Sequence, residues 1–224
     1  MDEEKKLTYH INPLQNMFDR KELLKSLEKK GFSTEIVDAF SKVKRENFVL
    51  SRLEYRAYED RSFPIGEGQA ISQPYTIAEM LSLLELKKRQ KVLEIGSGCG
   101  YVLALMFEIT KGKVFGIERI KKLAEMSRIN LKDYNQIKVY CRDGSKGLEQ
   151  EAPFDRIIIS AACEQIPEKL SYQLKNNGII VAPIGSRDIQ SVTPFKKINN
   201  KLIIKKGIPG FRFVPFIENN SLKN

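Results

Sequence analysis

The stretch Val92-Leu93-Glu94-Ile95-Gly96-Ser97-Gly98-Cys99-Gly100-Tyr101 decides how the rest of the chain is organised. Its first half is apolar almost without alternation, which predicts a strand from Lys91 to Ile95 that is buried on both faces of a sheet. Three glycines then leave room for a sharp backbone turn and for a ligand to come close, and a helical pattern follows them. This arrangement is typical of the nucleotide-binding turn of a doubly wound α/β domain, whose ligands bind at the carboxyl ends of the strands.

The glycine spacing and two acids further along the chain indicate which nucleotide binds. The spacing G-x-G-x-G differs from the dinucleotide pattern G-x-G-x-x-G, and no phosphate loop of the form G-x-x-x-x-G-K-S/T occurs. A second predicted strand, Lys113 to Glu118, ends in an acid about 20 residues after the first glycine, where a carboxylate would meet ribose hydroxyls. A third, Ile137 to Cys141, is followed by Asp143. Together these features resemble a class I methyltransferase that binds S-adenosylmethionine (AdoMet).

Composition bounds the alternatives. A chain of 224 residues is long enough for one α/β domain with a sizeable core, and its formal charge of +10 makes nucleic acid a possible partner. The basic residues are spread along the chain without interleaved aromatic residues, so a solvated surface is favoured over a nucleic-acid site. Three cysteines without a C-x-x-C pair suggest reduced thiols in a cytoplasmic protein and no zinc. His10, the only histidine, lies in an unpatterned N-terminal arm and is a poor candidate for a catalytic base.

The segments on either side of the glycine turn are predicted from periodicity. Amphipathic helices are expected before it, and strands and one helix after it, as follows: helices Arg20 to Lys30, ended by Gly31, and Thr34 to Lys44, capped by Ser33 with Ile36, Val37 and Phe40 inward; strand Phe154 to Ser160; helix Ile166 to Leu174; a turn at Asn177-Gly178; and strands Ile179 to Ile184, Lys201 to Lys206 and Phe211 to Phe216. The first two helices are expected to form a small cap on the nucleotide-binding core.

The segment from Ala57 to Pro74 has neither helical nor strand periodicity, and its glycines and prolines indicate a structured loop. Pro74 suits the first position of a helix that runs to Leu86, with Gln73 before it. A long irregular segment that leads directly into a helix is more often functional than a plain connection.

This loop carries a more specific resemblance. Tyr58-Glu59-Asp60 followed by Pro64-Ile65-Gly66-Glu67-Gly68-Gln69-Ala70-Ile71-Ser72-Gln73-Pro74 resembles the signature of the protein-L-isoaspartate (D-aspartate) O-methyltransferase family, close to P-I-G-x-G-Q-T-I-S-x-P. The similarity continues through Arg142-Asp143-Gly144, Ala161-Ala162, Ile166-Pro167, Gly185-Ser186-Arg187 and Phe213-Val214-Pro215, and so runs from about Phe32 to Ile217. It implies a seven-stranded, mostly parallel, Rossmann-like α/β sheet with an N-terminal helical cap.

The resemblance also implies an activity, a cofactor and partners. The family transfers a methyl group from AdoMet to the α-carboxylate of L-isoaspartyl residues, and in some cases to D-aspartyl residues, and leaves S-adenosylhomocysteine. The partners would be isoaspartyl-containing peptides and proteins, with no metal, no membrane and no specific nucleic acid, and the chain would act as a cytoplasmic monomer. One methyltransferase domain is expected, with helices and loop over about 1–75, the AdoMet core over about 76–185 and a substrate wall over about 186–224.

Roles for individual residues follow from the same resemblance. Ser72 is implied to be the active-site hydroxyl, which binds the substrate carboxylate and orients it near the sulfonium. Ile65 and Val214 would contact the substrate backbone, Glu118 the ribose hydroxyls and Asp143 the adenine amine. The residues implied to bind the cofactor are Gln69, Ile71, Gly96, Ser97, Gly98, Glu118, Arg119, Asp143 and Gly144.

Three departures and two rival functions accompany this prediction. Ala70 replaces a threonine, Cys163-Glu164 follows Ala161-Ala162 where the family has Ala or Pro, and Ser62-Phe63 is a conservative change. One rival is a nucleic-acid methyltransferase, but the D/N/S-P-P-Y/F/W motif of amino-methylating members is absent, and Cys163 lacks the preceding proline of a cytosine-C5 nucleophile. It is interpreted as an incidental buried residue. The other rival is a non-catalytic binding module, against which the intact glycines, acids and Ser72 argue.

Overall fold

A central mixed sheet organises the molecule, whose computed structural model describes residues 13–218 and the side chains from Arg20 onward. His10 therefore lies outside the described residues. The strands of the sheet in the described residues are β3 (Val92–Ile95), β4 (Val114–Glu118), β5 (Ile137–Cys141), β6 (Phe154–Ile159), β7 (Leu174–Gly185), β8 (Gln190–Ile198), β9 (Lys201–Ile204) and β10 (Ile208–Phe211). Seven of them lie along one path, in the order β10-β8-β7-β6-β3-β4-β5, and the short strand β9 pairs with β8.

The parallel half of the sheet places the glycine turn. Strand β3 pairs in parallel with β4 on one side and with β6 on the other, and every residue of β3 is buried. The chain proceeds outward from β3 through β4 to β5, then returns to β6 on the opposite side and continues to β7. The strand order therefore reverses between β3 and β6, and the crevice at such a reversal is where ligands bind in open α/β sheets.

Helices cover the sheet and build the N-terminal cap. They are α1 (Pro13–Lys29), α2 (Thr34–Lys42), α3 (Pro74–Leu84), α4 (Tyr101–Thr110), α5 (Lys121–Asn130) and α6 (Glu168–Gln173). The end of α1 confirms the role of Gly31, which has φ +83°, and Phe32 N–H donates to the Leu27 carbonyl across the turn. Helix α2 buries Ile36, Val37 and Phe40 as expected, and Pro74 is the first residue of α3.

The structure differs from the sequence predictions in several details. Helix α1 begins at Pro13 instead of Arg20, and strand β8 was not predicted. The loop before α3 contains a two-stranded hairpin, β1 (Phe63–Gly66) and β2 (Gln69–Ile71), which is too short to show periodicity. The turn expected at Asn177-Gly178 is an irregularity inside β7, whose pairing with β6 shifts at this point. The last strand is Ile208–Phe211 and does not continue to Phe216; after it, the Phe213 amide donates to Gln190 Oε1, and Pro215 forms an isolated β-bridge with Ala162.

Candidate active site

A cleft opens at the carboxyl ends of β3, β4 and β6, and we call it the main cleft. Its walls come from the glycine turn, the segment after β4, the β1–β2 hairpin and the C-terminal segment. The lining residues are Ile65, Gln69, Ala70, Ile95, Gly96, Gly98, Ile117, Glu118, Arg119, Ile120, Gly144, Ser160, Ala161, Val214, Pro215, Phe216 and Ile217. The ends of the sheet strands thus form part of the cleft wall, and the hairpin and the C-terminal segment form the rest.

The glycine turn needs glycine for two separate reasons. Gly96 and Gly98 have φ values of +78° and +51°, in the left-handed region that L side chains rarely adopt. A Cβ atom at Gly98 would also lie 3.1 Å from Ile65 Cδ1, so a side chain there would push into the hairpin. The turn is fixed to β4 by the amides of Gly96 and Ser97, which donate to the Ile117 carbonyl at 2.8 and 3.1 Å.

Glu118 connects the turn to the end of β4. Its Oε2 accepts from the Gly98 amide and its Oε1 from the Ile120 amide, each at 2.9 Å, and the residue is 5% exposed. Each carboxylate oxygen has two lone pairs, so both retain capacity for a ligand hydroxyl. Arg119 lines the cleft beside it. The predicted ribose acceptor therefore also holds the glycine turn in place.

Glu94, in strand β3, has a role that the sequence analysis did not assign, because it contacts a residue of the cleft lining. It is 1% exposed; its Oε1 accepts from Ser160 Oγ at 2.7 Å, whereas its Oε2 is buried without a partner. The pKa of Glu94 is raised to about 8, mainly by burial; the Ser160 hydrogen bond opposes this rise, and the negative charge of Glu118 adds a smaller contribution to it. Because Ser160 lines the main cleft, this carboxyl group lies directly behind the cleft wall. The sequence did contain a signal for Glu94, because an acidic residue inside an otherwise apolar strand must be buried and needs a partner.

The other predicted cofactor residues fall into two groups. Gln69 and Gly144 line the main cleft, as do Gly96 and Gly98. Ile71, Ser97 and Asp143 do not line it; Ile71 and Ser97 are buried, and Ser97 Oγ has no hydrogen-bond partner. Asp143 precedes Gly144 and its Oδ1 accepts from the Ser145 amide at 2.9 Å, which caps a short 3-10 turn. The structure thus brings the glycine turn, Glu118 and Gly144 together.

Ser72 lies outside the residues that line the main cleft. It borders a neighbouring depression, which we call the side depression, together with Ser62, Gln73, Tyr75, Thr76 and Ile208 to Arg212. Ala70, two residues earlier in the chain, lines the main cleft, so strand β2 and its continuation separate the two. The Ser72 carbonyl accepts from Arg45 Nη2 at 2.9 Å.

The predicted substrate contacts, Ile65 and Val214, both line the main cleft. Val214 is fixed by the end of β6, because the Ala162 amide donates to its carbonyl at 2.8 Å and the Phe216 amide donates back to the Ala162 carbonyl at 2.7 Å. The C-terminal segment therefore forms one wall of the cleft.

Cys163 is buried, and burial raises the pKa of its thiol to about 12, with a smaller contribution from Glu218. The thiol is therefore protonated at neutral pH and is a poor nucleophile. Cys99, Cys141 and Cys163 are all unpaired. Among the residues that the structure describes, no three His, Cys, Asp or Glu side chains cluster as a metal site would require, and no helix is both long and apolar enough for a membrane span.

Known proteins are similar to this chain over most of its length. The family model described as protein-L-isoaspartate (D-aspartate) O-methyltransferase matches residues 18–221. A protein-L-isoaspartate O-methyltransferase from Ignicoccus hospitalis is 43% identical over 206 residues, which are 89% of this chain and 97% of that protein. One from Cytophaga hutchinsonii is 41% identical over 200 residues, 88% of this chain and 90% of that protein.

Two solved structures have the same fold. A protein-L-isoaspartate O-methyltransferase superposes with a TM-score of 0.81 at 30% identity, over 89% of this chain and 66% of that chain. A Plasmodium falciparum protein, described as a putative protein-L-isoaspartate O-methyltransferase in complex with S-adenosyl-L-homocysteine, superposes with a TM-score of 0.78 at 25% identity. That match covers 89% of this chain and 99% of the other.

Proposed function

This chain belongs to the protein-L-isoaspartate (D-aspartate) O-methyltransferase family, and we propose that its main cleft binds AdoMet while Ser72 orients the substrate. The chain is an AdoMet-dependent enzyme that methylates the free α-carboxylate of L-isoaspartyl residues. Activity on the β-carboxylate of D-aspartyl residues is part of the proposal. The observation that carries it is the meeting of the glycine turn, Glu118 and the family's hairpin loop at one cleft.

The cleft has the chemistry that AdoMet requires. The cofactor carries two positive groups, a sulfonium and an ammonium, and the buried Oε2 of Glu94 lacks a partner directly behind the cleft wall. A cation beside it would compensate for the burial of its charge. Glu118 presents a carboxylate where ribose hydroxyls would lie, and Gly98 leaves its backbone open to close approach. We propose that Glu94, Glu118, Arg119 and Asp143 hold the polar parts of the cofactor, with Gln69, Ile71, Gly96, Ser97 and Gly144 around it.

Methyl transfer requires little acid–base chemistry from this chain. AdoMet supplies a methyl group that its sulfonium already activates, and the α-carboxylate of an isoaspartyl residue is ionised at neutral pH. What the protein must provide is alignment of the two reactants and exclusion of water. Ile65 and Val214 form an apolar wall against the peptide, and the Ser72 hydroxyl donates a hydrogen bond that fixes one carboxylate oxygen.

The methyl ester is a route to repair. In this family it cyclises spontaneously to a succinimide, whose hydrolysis restores part of the normal aspartyl linkage. We further propose that the chain works in the cytoplasm, which its three unpaired cysteines support. A single functional domain and a monomeric state complete the proposal; residues 1–75, 76–185 and 186–224 would supply the cap and loop, the cofactor core and the substrate wall.

A direct assay tests the activity. Transfer of labelled methyl groups is measured to an isoaspartyl peptide, to its aspartyl twin and to a tRNA. We expect transfer to the first alone. Transfer to the tRNA instead would replace the proposed substrate class, and absence of transfer despite AdoMet binding would favour a binding module.

Ser72→Ala tests the proposed role of the hydroxyl. Because one positioning hydrogen bond is lost, turnover of the isoaspartyl peptide should fall about ten- to a thousandfold, while AdoMet affinity stays nearly the same. No methylated enzyme should accumulate, since the substrate carboxylate attacks directly and the described residues offer Ser72 no partner base. Steady-state kinetics beside equilibrium AdoMet binding make the comparison. Unchanged kinetics would remove Ser72 from the active site, and a trapped methyl-enzyme would overturn direct displacement.

A further inference from the structure

Arg45 is a wholly buried arginine that the proposed chemistry does not use. It follows α2, at the start of a short 3-10 turn, and its side chain is 0% exposed. It forms no salt bridge with any described carboxylate, and its guanidinium carbon lies 5.0 Å from the centre of the Tyr101 ring. Burial of a cation costs several kcal/mol unless hydrogen bonds compensate. Hydrogen bonds must therefore compensate for the burial of the Arg45 guanidinium.

The guanidinium binds three backbone carbonyl groups of the hairpin loop. Nε donates to the Ala57 carbonyl at 2.8 Å, and Nη2 donates to the Ser72 carbonyl at 2.9 Å and to the Arg61 carbonyl at 3.4 Å. These acceptors lie at the start, within and near the end of the segment from Ala57 to Pro74. Because the donors of a guanidinium form a rigid planar fork, the three carbonyls are fixed relative to one another.

Ser72 is consequently held from both sides. Its carbonyl is bound by Arg45, and the next residue, Gln73, begins α3 by accepting from the Ile77 amide at 3.2 Å. A second connection joins the same two regions, since the Tyr75 amide donates to Asp60 Oδ1 at 2.8 Å. The hydroxyl of Ser72 therefore takes its position from a backbone that the N-terminal cap fixes.

We propose that Arg45 is a positioning residue for methyl transfer, which sets the place of the Ser72 hydroxyl by binding the Ser72 carbonyl group. The inference rests on the proposed role of Ser72. A displacement of about 1 Å at a reacting group can lower a rate about a hundredfold, so loss of the fork reduces turnover without touching the cofactor. A stabilising role alone would instead lower folding, cofactor binding and turnover together.

Arg156, which contacts the C-terminal end of α3, offers a matched control. Arg156 is 7% exposed; its Nε donates to the Leu84 carbonyl at 2.6 Å and its Nη2 to the Glu85 carbonyl at 3.1 Å. It too is a buried arginine that binds backbone carbonyls at a terminus of α3. An eleven-residue helix is about 16 Å long, so Arg156 tests the loss of a buried guanidinium far from Ser72.

The experiment compares Arg45→Met and Arg156→Met with the parent in melting temperature, AdoMet affinity, and kcat and KM for an isoaspartyl peptide. We expect both variants to melt earlier. Arg45→Met should lower kcat about ten- to a hundredfold with AdoMet affinity within about threefold, whereas Arg156→Met should change kcat less than about twofold. Equal losses of kcat in the two variants, or an unchanged kcat in Arg45→Met, would overturn the proposal.

A double variant separates this inference from the proposed function. If Arg45 acts through Ser72, then Arg45→Met combined with Ser72→Ala should be no slower than Ser72→Ala alone, within about twofold. Multiplied losses would refute the positioning role and leave Ser72 in the active site. A Ser72→Ala variant with full activity would instead refute the role of Ser72 itself. Should Arg45→Met fail to fold, Arg45→Lys enters the same comparison, because it keeps the charge and loses the fork.

Discussion

Replacement of Glu94 by glutamine should remove a loss of folding stability that the parent protein shows as the pH rises. Glu94 lies at the proposed cofactor site. Burial raises the pKa of Glu94 from its ordinary 4.5 to about 8 in the folded chain. Below pH 4.5 the carboxyl is neutral in both the folded and the unfolded chain and costs nothing. Between the two pKa values the unfolded chain releases this proton while the folded chain keeps it. Stability is therefore lost progressively over that interval as the pH rises.

The size of the effect follows from the shift. Each pKa unit corresponds to about 1.36 kcal/mol, so a shift of about 3.5 units implies a cost on the order of 5 kcal/mol above pH 8. Glutamine has nearly the same shape, accepts the Ser160 hydrogen bond and has no charge to bury. The free energy of unfolding of Glu94→Gln minus that of the parent should thus increase from pH 5 to pH 8 and then level off.

Urea unfolding of both proteins between pH 5 and pH 9, without AdoMet, measures this difference. Asp155→Asn is the control: burial opposes the shift, but hydrogen bonds from Lys175 and the Lys91 amide lower the pKa of Asp155, so its difference from the parent should stay flat over this range. AdoMet binding at pH 7 should release a proton from the parent but not from Glu94→Gln, because a nearby cation favours the ionised carboxylate. A Glu94→Gln difference that stays flat from pH 5 to pH 9 would refute the assignment.

Two further predictions concern ligands. Glu118→Ala should weaken AdoMet binding by roughly 1–3 kcal/mol, because it removes a charged hydrogen-bond acceptor and leaves the Gly98 and Ile120 amides unpaired; titration calorimetry that gives equal affinities would remove Glu118 from the site. The formal charge of +10 should give only weak affinity for duplex DNA or tRNA, which collapses between low and physiological salt, and tight, salt-tolerant binding to one RNA in a filter-binding series would contradict this.

The nucleotide-binding half of the fold could be predicted because its signals are local. Strands β3 to β6 are short apolar runs that end at glycine, acid or turn residues, and the structure places each within a residue or two of its expected bounds. Strand β8 was not predicted at all. It contains Pro194, which argues against an interior strand, yet it pairs with β7 from Gln190 to Lys196. Its place depends on tertiary contacts that no sequence window contains.

The candidate site also has one part that the sequence predicts and one part that it does not. Gly96, Gly98 and Glu118 meet because parallel strands bring their carboxyl ends to one edge of the sheet. The sequence spacing alone predicts this meeting. Ser72 follows the hairpin, whose strands have only four and three residues, and its carbonyl accepts from Arg45. Family resemblance identified Ser72 as a candidate active-site residue, but periodicity could not predict its position relative to the cleft.

Two buried charged residues, Glu118 and Arg45, bind backbone groups of irregular segments that periodicity could not place. Glu118 binds the amides of Gly98 and Ile120, and Arg45 binds the carbonyls of Ala57, Arg61 and Ser72. In both cases an ionised side chain holds backbone groups from irregular segments, where no ladder of secondary structure fixes them. Such burial adds little to stability, since desolvation offsets most of the attraction, but it permits one arrangement of the partners and penalises others. Variants that keep the volume and remove the charge should therefore impair the geometry of the site more than the fold, which is the contrast that the Arg45 and Arg156 variants measure.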